Sequence, residues 1–274
     1  MKLSPGLYRA INERKLWEPS PFSKKGWGID NKDSHIRNLW GKPFAWRHLR
    51  FWQTEDWTEV KEFLKQEIEE GRNFNPQYAP PRPSIPYPLI FRSLVETEFK
   101  DVRIVIVGQD PYPNKKYADG LAFSVPPNIK VIPRSLKTIL AEYKDDLGFP
   151  MPRSGDLSAW ARRGILLINN VWTCREENPR SHRKINGREL WQLLTWDILR
   201  TLSKRKDKLV FILWGNEAKQ WHYVIDKDKH TVIEGAHPSP WSHVRKGLPS
   251  FMGGRYFSRA CEALGTDKSI WRLP

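Results

Sequence analysis

Cysteine is nearly missing: Cys174 and Cys261 are the two in 274 residues. That count excludes a disulfide-stapled fold and suits a reducing compartment. Long apolar runs are missing as well. The longest, Leu209 to Trp214, is far shorter than the roughly 20 residues a membrane span needs. Behind Met1-Lys-Leu-Ser-Pro-Gly6 there is no apolar stretch of the secretory kind, and Glu13, Glu18, Asp30 and Asp33 do not suit a mitochondrial presequence. The expected location is intracellular and cytoplasmic, or nuclear in a eukaryotic source, with no membrane contact. Acidic residues are in deficit, 31 Asp and Glu against 46 Lys and Arg, which leaves a formal charge of +15. A surplus of that size seeks a polyanion, most commonly nucleic acid. An anionic membrane surface would call for a basic amphipathic helix, and none stands out. Aromatics are plentiful: 14 Trp, 8 Tyr and 12 Phe, a load that excludes a disordered chain.

Residues 1–52 read as an irregular extension and 53–274 as the main domain. The extension carries Trp17, Trp27, Trp40, Trp46 and Trp52 without helical or alternating periodicity. Its basic and aromatic residues interleave from His35 to Trp52, a pattern that can stack on exposed bases and pair with phosphates. The simpler expectation is that these tryptophans anchor the extension on the main domain. From Thr54 the pattern becomes regular. Trp57, Val60, Leu64 and Ile68 repeat at helical spacing, with Thr54 as cap and Gly71 as stop. Pro80-Pro-Arg-Pro83 reads as an ordered linker within the domain.

Beyond it, short β-rich runs (Val102–Val107, Ile165–Ile168, Leu209–Trp214, Thr231–Ile233) alternate with helical patterns. The helices are marked by Leu136, Ile139, Leu140 and Tyr143, by Leu190, Leu194, Ile198 and Leu202, and by Ala218, Trp221 and Ile225. A final one runs through Tyr256, Phe257, Ala260 and Leu264 to Gly265. Continuous apolar strands separated by helices imply an α/β fold, a parallel sheet covered on both faces. Ligands of such sheets bind beyond the carboxyl ends of the strands. Those ends carry Gly108-Gln-Asp-Pro-Tyr-Pro113, Asn169-Asn170, Gly215-Asn216 and Gly235-Ala-His-Pro-Ser-Pro-Trp241. Four strands discharging polar or turn-forming residues at one edge mark a site.

Five motifs in order resemble those of the family 1 uracil-DNA glycosylases. Gly108-Gln-Asp-Pro-Tyr112 resembles the water-activating motif, and Val125-Pro-Pro with Pro133-Arg-Ser135 the proline-rich DNA-compressing loop. Gly164-Ile-Leu-Leu-Ile-Asn169, Leu213-Trp-Gly215 and His237-Pro-Ser-Pro240 complete the set, which spans about Phe51 to the end. The resemblance implies a four-stranded parallel sheet flanked by helices and a DNA repair enzyme that flips uracil out and hydrolyses its N-glycosidic bond. It implies no metal and no cofactor. Breaking that bond leaves positive charge on the sugar and negative charge on the base. By resemblance, Asp110 positions water and faces the sugar, while a neutral His237 donates to uracil O2. Asn169 pairs with O4 and N3, Phe123 stacks on the base, Gln109 holds O2 through its backbone, and Tyr112 fills the space beside C5. Ser135, Gly215, Asn216, Ser239, Trp241 and Arg245 fall on positions that resemble the DNA-gripping loops, with Trp241 as the wedge.

Three positions depart from the pattern: Pro113 stands where the family has histidine, Trp241 where it has leucine, and Asn216 where it has serine. Pro113 and the long extension support an alternative, a catalytically weak DNA clamp or replication accessory subunit on the same fold. The expected partner is uracil-containing DNA, single- or double-stranded, bound by a monomer, while a replication or inhibitor protein partner is left unidentified. Cys174 and His182 lack a ligand set for zinc. His222 and His230 are expected on element surfaces, and Lys204-Arg-Lys-Asp-Lys208 as a solvated helix end.

Overall fold

The computed structural model describes Leu7 and residues 44–76, 89–239 and 250–274. In chain order its elements are α1 (Glu55–Glu69), β1 (Phe74–Asn75), α2 (Arg92–Glu96), β2 (Ile104–Gly108) and α3 (Arg134–Leu147). Then come α4 (Ser158–Ala161), β3 (Ile165–Asn169), β4 (Cys174–Arg175), α5 (Leu190–Ser203) and β5 (Val210–Trp214). The chain ends with α6 (Asn216–Lys219), β6 (Thr231–Gly235) and α7 (Tyr256–Leu264). Strands β3, β2, β5 and β6 form a four-stranded parallel sheet in that order. β1 and β4 pair antiparallel as a small separate ribbon. Among the described residues no helix is long and apolar enough to cross a membrane.

β2, β3 and β5 are apolar almost throughout because both faces of the sheet are covered there, whereas the edge strand β6 carries Thr231 and Glu234 and buries only Ile233. Alternation along each strand divides the residues between two cores. Val105, Val107, Leu166, Ile168, Phe211 and Leu213 face one core, with Trp57, Val60 and Leu64 of α1 and the apolar length of α5. Ile104, Ile106, Ile165, Leu167, Val210 and Ile212 face the other, against α3 and α7. Helix α5 is buried nearly all round because α1 packs over it as an outer layer. The Thr54 side chain accepts from the Trp57 N–H at the start of α1, and Gly148 and Gly265 close α3 and α7 in left-handed conformation.

Of the tryptophans in the extension, Trp46 and Trp52 are described, and both are buried in the first core. Trp46 Nε1 donates to the Thr97 carbonyl and Trp52 Nε1 to that of Trp46. Trp17, Trp27, Trp40 and the Pro80–Pro83 linker lie outside the described residues. Several expectations need correcting. Ile68 is 44% exposed, because α1 buries Glu67 at that turn instead, where Arg175 and Arg72 grip its carboxylate. His230 is buried, accepting from Leu209 N–H and facing the Ser203 carbonyl. Arg205 is not solvated: its guanidinium donates to the carbonyls of Phe99, Lys100 and Val102 just before β2. The segment of Ala218 and Trp221 is a single α turn followed by a 3-10 turn (Gln220–Val224).

Candidate active site

Register fixes the edge at which the site is built. Gly108 pairs with Asn169 and Trp214 with Gly235, so the strands end together. The chain leaves β2 for β3 on one side and reaches β5 on the other, a switch in strand order that opens a crevice at the carboxyl ends. The crevice holds a cavity of about 150 Å³ lined by Gln109, Asp110, Tyr112, Phe123, Ser135, Asn169 and His237, together with Pro111, Pro113 and the turn Ala118–Leu121. A volume of about 150 Å³ is enough for one six-membered ring.

Each lining side chain is held by its neighbours. The Asn169 amide lies over Gly108: a Cβ there would come within 2.3 Å of Asn169 Oδ1, so glycine is required. Tyr112 donates through its hydroxyl to the Phe123 carbonyl at 2.9 Å. That bond secures a strained residue, since Phe123 has φ of 66°. Asn75 on β1 donates to the carbonyls of Tyr112 and Pro113, fastening the loop from below. Gly215, at φ of 79°, lies where a Cβ would come within 2.8 Å of His237 Cβ.

Burial pushes the Asp110 carboxyl above its ordinary range, opposed by hydrogen bonds from the Arg180 N–H and the Gln109 amide and by the Arg180 charge. Burial, aided by the Arg180 charge, lowers His237, so its ring is neutral at pH 7. The Ser239 N–H donates to His237 Nδ1 at 3.0 Å. Nδ1 is therefore the acceptor, and the ring proton of the neutral form sits on Nε2. Burial also raises the Tyr112 phenol, which stays neutral. The Asp110 carboxyl, the neutral His237 imidazole donor and the Asn169 amide thus line a single ring-sized cavity.

Gly215, Asn216 and Ser239 lie at the strand ends without lining the cavity; Asn216 is exposed. Trp241 and Arg245, with Pro240, lie outside the described residues. Sequence reasoning missed Asp119 and Arg180. Asp119 is buried beneath the Phe123 turn, where it accepts from Arg92 Nη1, Ser124 Oγ and the Leu121 N–H. Its only sequence signal is the Asp119-Gly120 turn pair. Cys174 is buried, its Sγ 3.4 Å from the Pro111 carbonyl. His182 is buried between Thr173 and Glu67. Among the described residues no group of three His, Cys, Asp or Glu side chains could hold a metal ion.

The Uracil DNA glycosylase superfamily model matches residues 96–265. The uracil-DNA glycosylase of Mycobacterium ulcerans is 43% identical over 220 residues, 79% of this chain and 89% of that protein. The chain belongs to the uracil DNA glycosylase superfamily. Another member, the uracil-DNA glycosylase of Mycobacterium leprae, is 42% identical over 219 residues, 79% of this chain and 88% of its own. The crystal structure of mimivirus uracil-DNA glycosylase superposes with a TM-score of 0.70 at 24% identity, covering 87% of this chain and 89% of that one. That likeness carries the superfamily fold and nothing finer.

Proposed function

We infer that the chain excises uracil from DNA, hydrolysing the N-glycosidic bond to release the free base and leave an abasic site for repair. Relatives named uracil-DNA glycosylase at 42–43% identity over four fifths of the chain support this function, and they give the clamp alternative no support. The residue roles are our own reading, and one observation carries them. The residues that resemble the family's catalytic and base-binding set all line the cavity of about 150 Å³.

In this reading a uracil flipped from the stack enters between Phe123 and the Asn169 amide. The amide presents a donor and an acceptor to O4 and N3, and cytosine, with an amino group at that edge, leaves the pair mismatched. Tyr112 occupies the space that a thymine methyl needs. As the glycosidic bond lengthens, charge separates: the sugar becomes cationic and the base anionic. Asp110 faces the sugar and orients the attacking water. His237 Nε2–H donates to O2 as negative charge collects there. Ser135, Gly215, Asn216, Ser239, Trp241 and Arg245 grip the DNA around the flipped nucleotide. The substrate is uracil in single or double strands, and a monomer suffices.

The test is single-turnover cleavage of a single-stranded oligonucleotide carrying one uracil, with alkali to cut abasic sites. Asp110→Asn is expected to lower the rate about 100- to 1,000-fold while DNA affinity stays close to wild type. A near-normal rate removes the role assigned to Asp110.

A further inference from the structure

The two carboxylate oxygens of Asp110 take their donors from distant parts of the chain. Gln109 Nε2 donates to Oδ1 at 2.9 Å, and the Arg180 main-chain N–H donates to Oδ2 at 2.7 Å. The Arg180 side chain closes the circuit, its Nη2 donating to Gln109 Oε1 at 2.8 Å. A guanidinium only donates, so it must face the amide oxygen and leave the amide nitrogen for Asp110. Turned over, the same amide would set an acceptor against a carboxylate.

The loop that brings Arg180 here is itself tied down. The Glu177 N–H donates to the Pro113 carbonyl at 2.8 Å, and the Arg175 N–H to Ser181 Oγ at 2.6 Å. Arg180 has φ of 64°, a conformation that a residue with a side chain keeps only where its surroundings impose it. Pro113, the next motif residue after Tyr112, has no N–H and no polar side chain to offer. The 174–181 loop supplies the donors from outside the motif.

We propose that Arg180 is a positioning residue for uracil excision: its guanidinium sets the polarity of the Gln109 amide and, through it, the orientation of the Asp110 carboxylate. This rests on the role assigned to Asp110 above. The charged and titratable groups around Asp110 are Arg180, Glu217 on α6, Cys174 on β4 and His237 across the cavity. Arg180 is the cation whose charge opposes burial and Glu217, the two influences that raise the Asp110 carboxyl.

Single-turnover uracil release from a single-stranded oligonucleotide, followed from pH 5 to 9 with DNA affinity measured in parallel, tests the proposal. Arg180→Gly keeps the N–H and the left-handed backbone and removes only the side chain. It is expected to slow release about 10- to 100-fold, the size of a lost hydrogen bond in a charged network. The acid limb should move to higher pH, while DNA affinity stays within about twofold. Arg180→Lys, also a pure donor, should recover most of the rate. With Gln109→Ala already present, Arg180→Gly should add little to the loss of rate on the plateau above the acid limb, because the ring is already open, while the acid limb still moves with the lost charge. Three results overturn the proposal: an unmoved acid limb, a full additional loss in the Gln109→Ala background, or a defect confined to affinity that vanishes at low salt, the mark of a phosphate contact. An active Asp110→Asn variant would instead overturn the role of Asp110. An inactive Asp110→Asn beside a normal Arg180→Gly removes only the role of Arg180.

Discussion

At the scale of single residues, the two groups assigned to the reaction are shifted in opposite directions by the same burial. Asp110 is raised and His237 lowered, which brings their titrations toward each other. In the proposed reaction Asp110 works ionised, above its own pKa, and His237 works neutral, also above its own. Both requirements fail as pH falls, and neither fails as pH rises. Uracil release should therefore show an acid limb, displaced upward from the ordinary carboxylate range, and no alkaline limb from these two groups up to about pH 9. Single-turnover rates from pH 4 to 9 measure this, and a fall between pH 7 and 9 would contradict it. The meeting of Asp110, Asn169 and His237 at one cavity was legible in the sequence because each lies at or just beyond the carboxyl end of a strand, where parallel sheets bind their ligands. Arg180 was not. It lies 70 residues from Asp110, and its main-chain hydrogen bond uses a group that nearly every residue has. His230 misled for a related reason: its partners are the backbone groups of Leu209 and Ser203, which no side-chain pattern announces.

At the scale of elements, β2, β3 and β5 were readable because burial on both faces makes them continuous apolar runs. The helices on either side were readable from their stripes. What joins them beneath the site was not, since it is a polar network assembled from separate turns. Arg92 of α2 donates to the Asp119 carboxylate and carbonyl, and its other nitrogen reaches Ser158 on α4. Ser124 Oγ donates to Asp119 and accepts from the Leu157 N–H. The turn ending in the strained Phe123 therefore rests on a buried ion pair, with side-chain exposures of 7% and 3%. Removing one partner leaves a buried charge uncompensated, so Arg92→Met should destabilise the fold by about 3–5 kcal/mol. Replacing both, as Arg92→Met with Asp119→Ala, should recover part of that loss because the buried Asp119 carboxylate is no longer left alone, while Glu96, which also pairs with Arg92, keeps Arg162. Urea denaturation of the two variants measures both effects. A loss below about 1 kcal/mol in the single variant would show that the pair behaves as an exposed one.

At the scale of the whole molecule, the division between extension and main domain can be weighed against the packing near residue 52. Trp46, Leu49, Phe51 and Trp52 are all at most 3% exposed and join the core formed by α1, α5 and the sheet. The Phe51 N–H also donates to the buried carboxylate of Asp197 on α5. Truncating one buried aromatic costs about 3–5 kcal/mol, and a whole domain is stable by about 5–15 kcal/mol. Deleting residues 1–53 removes three such aromatics, so cooperative melting should be lost. Deleting 1–43 spares them but takes Leu7 out of the same core, so a melting curve has to accompany the test of DNA binding by the extension. That segment carries nine Lys and Arg against four Asp and Glu, five of the molecule's fifteen net positive charges. If those charges neutralise phosphates, the slope of log affinity against log salt on undamaged duplex should become shallower by about 0.9 for each phosphate that is no longer neutralised. We expect instead that the extension serves packing, so that deleting 1–43 lowers the melting temperature and leaves the slope unchanged. Affinity at several salt concentrations, measured beside a melting curve on the same truncated chain, separates the two. A shallower slope at unchanged melting temperature would assign these residues to the DNA.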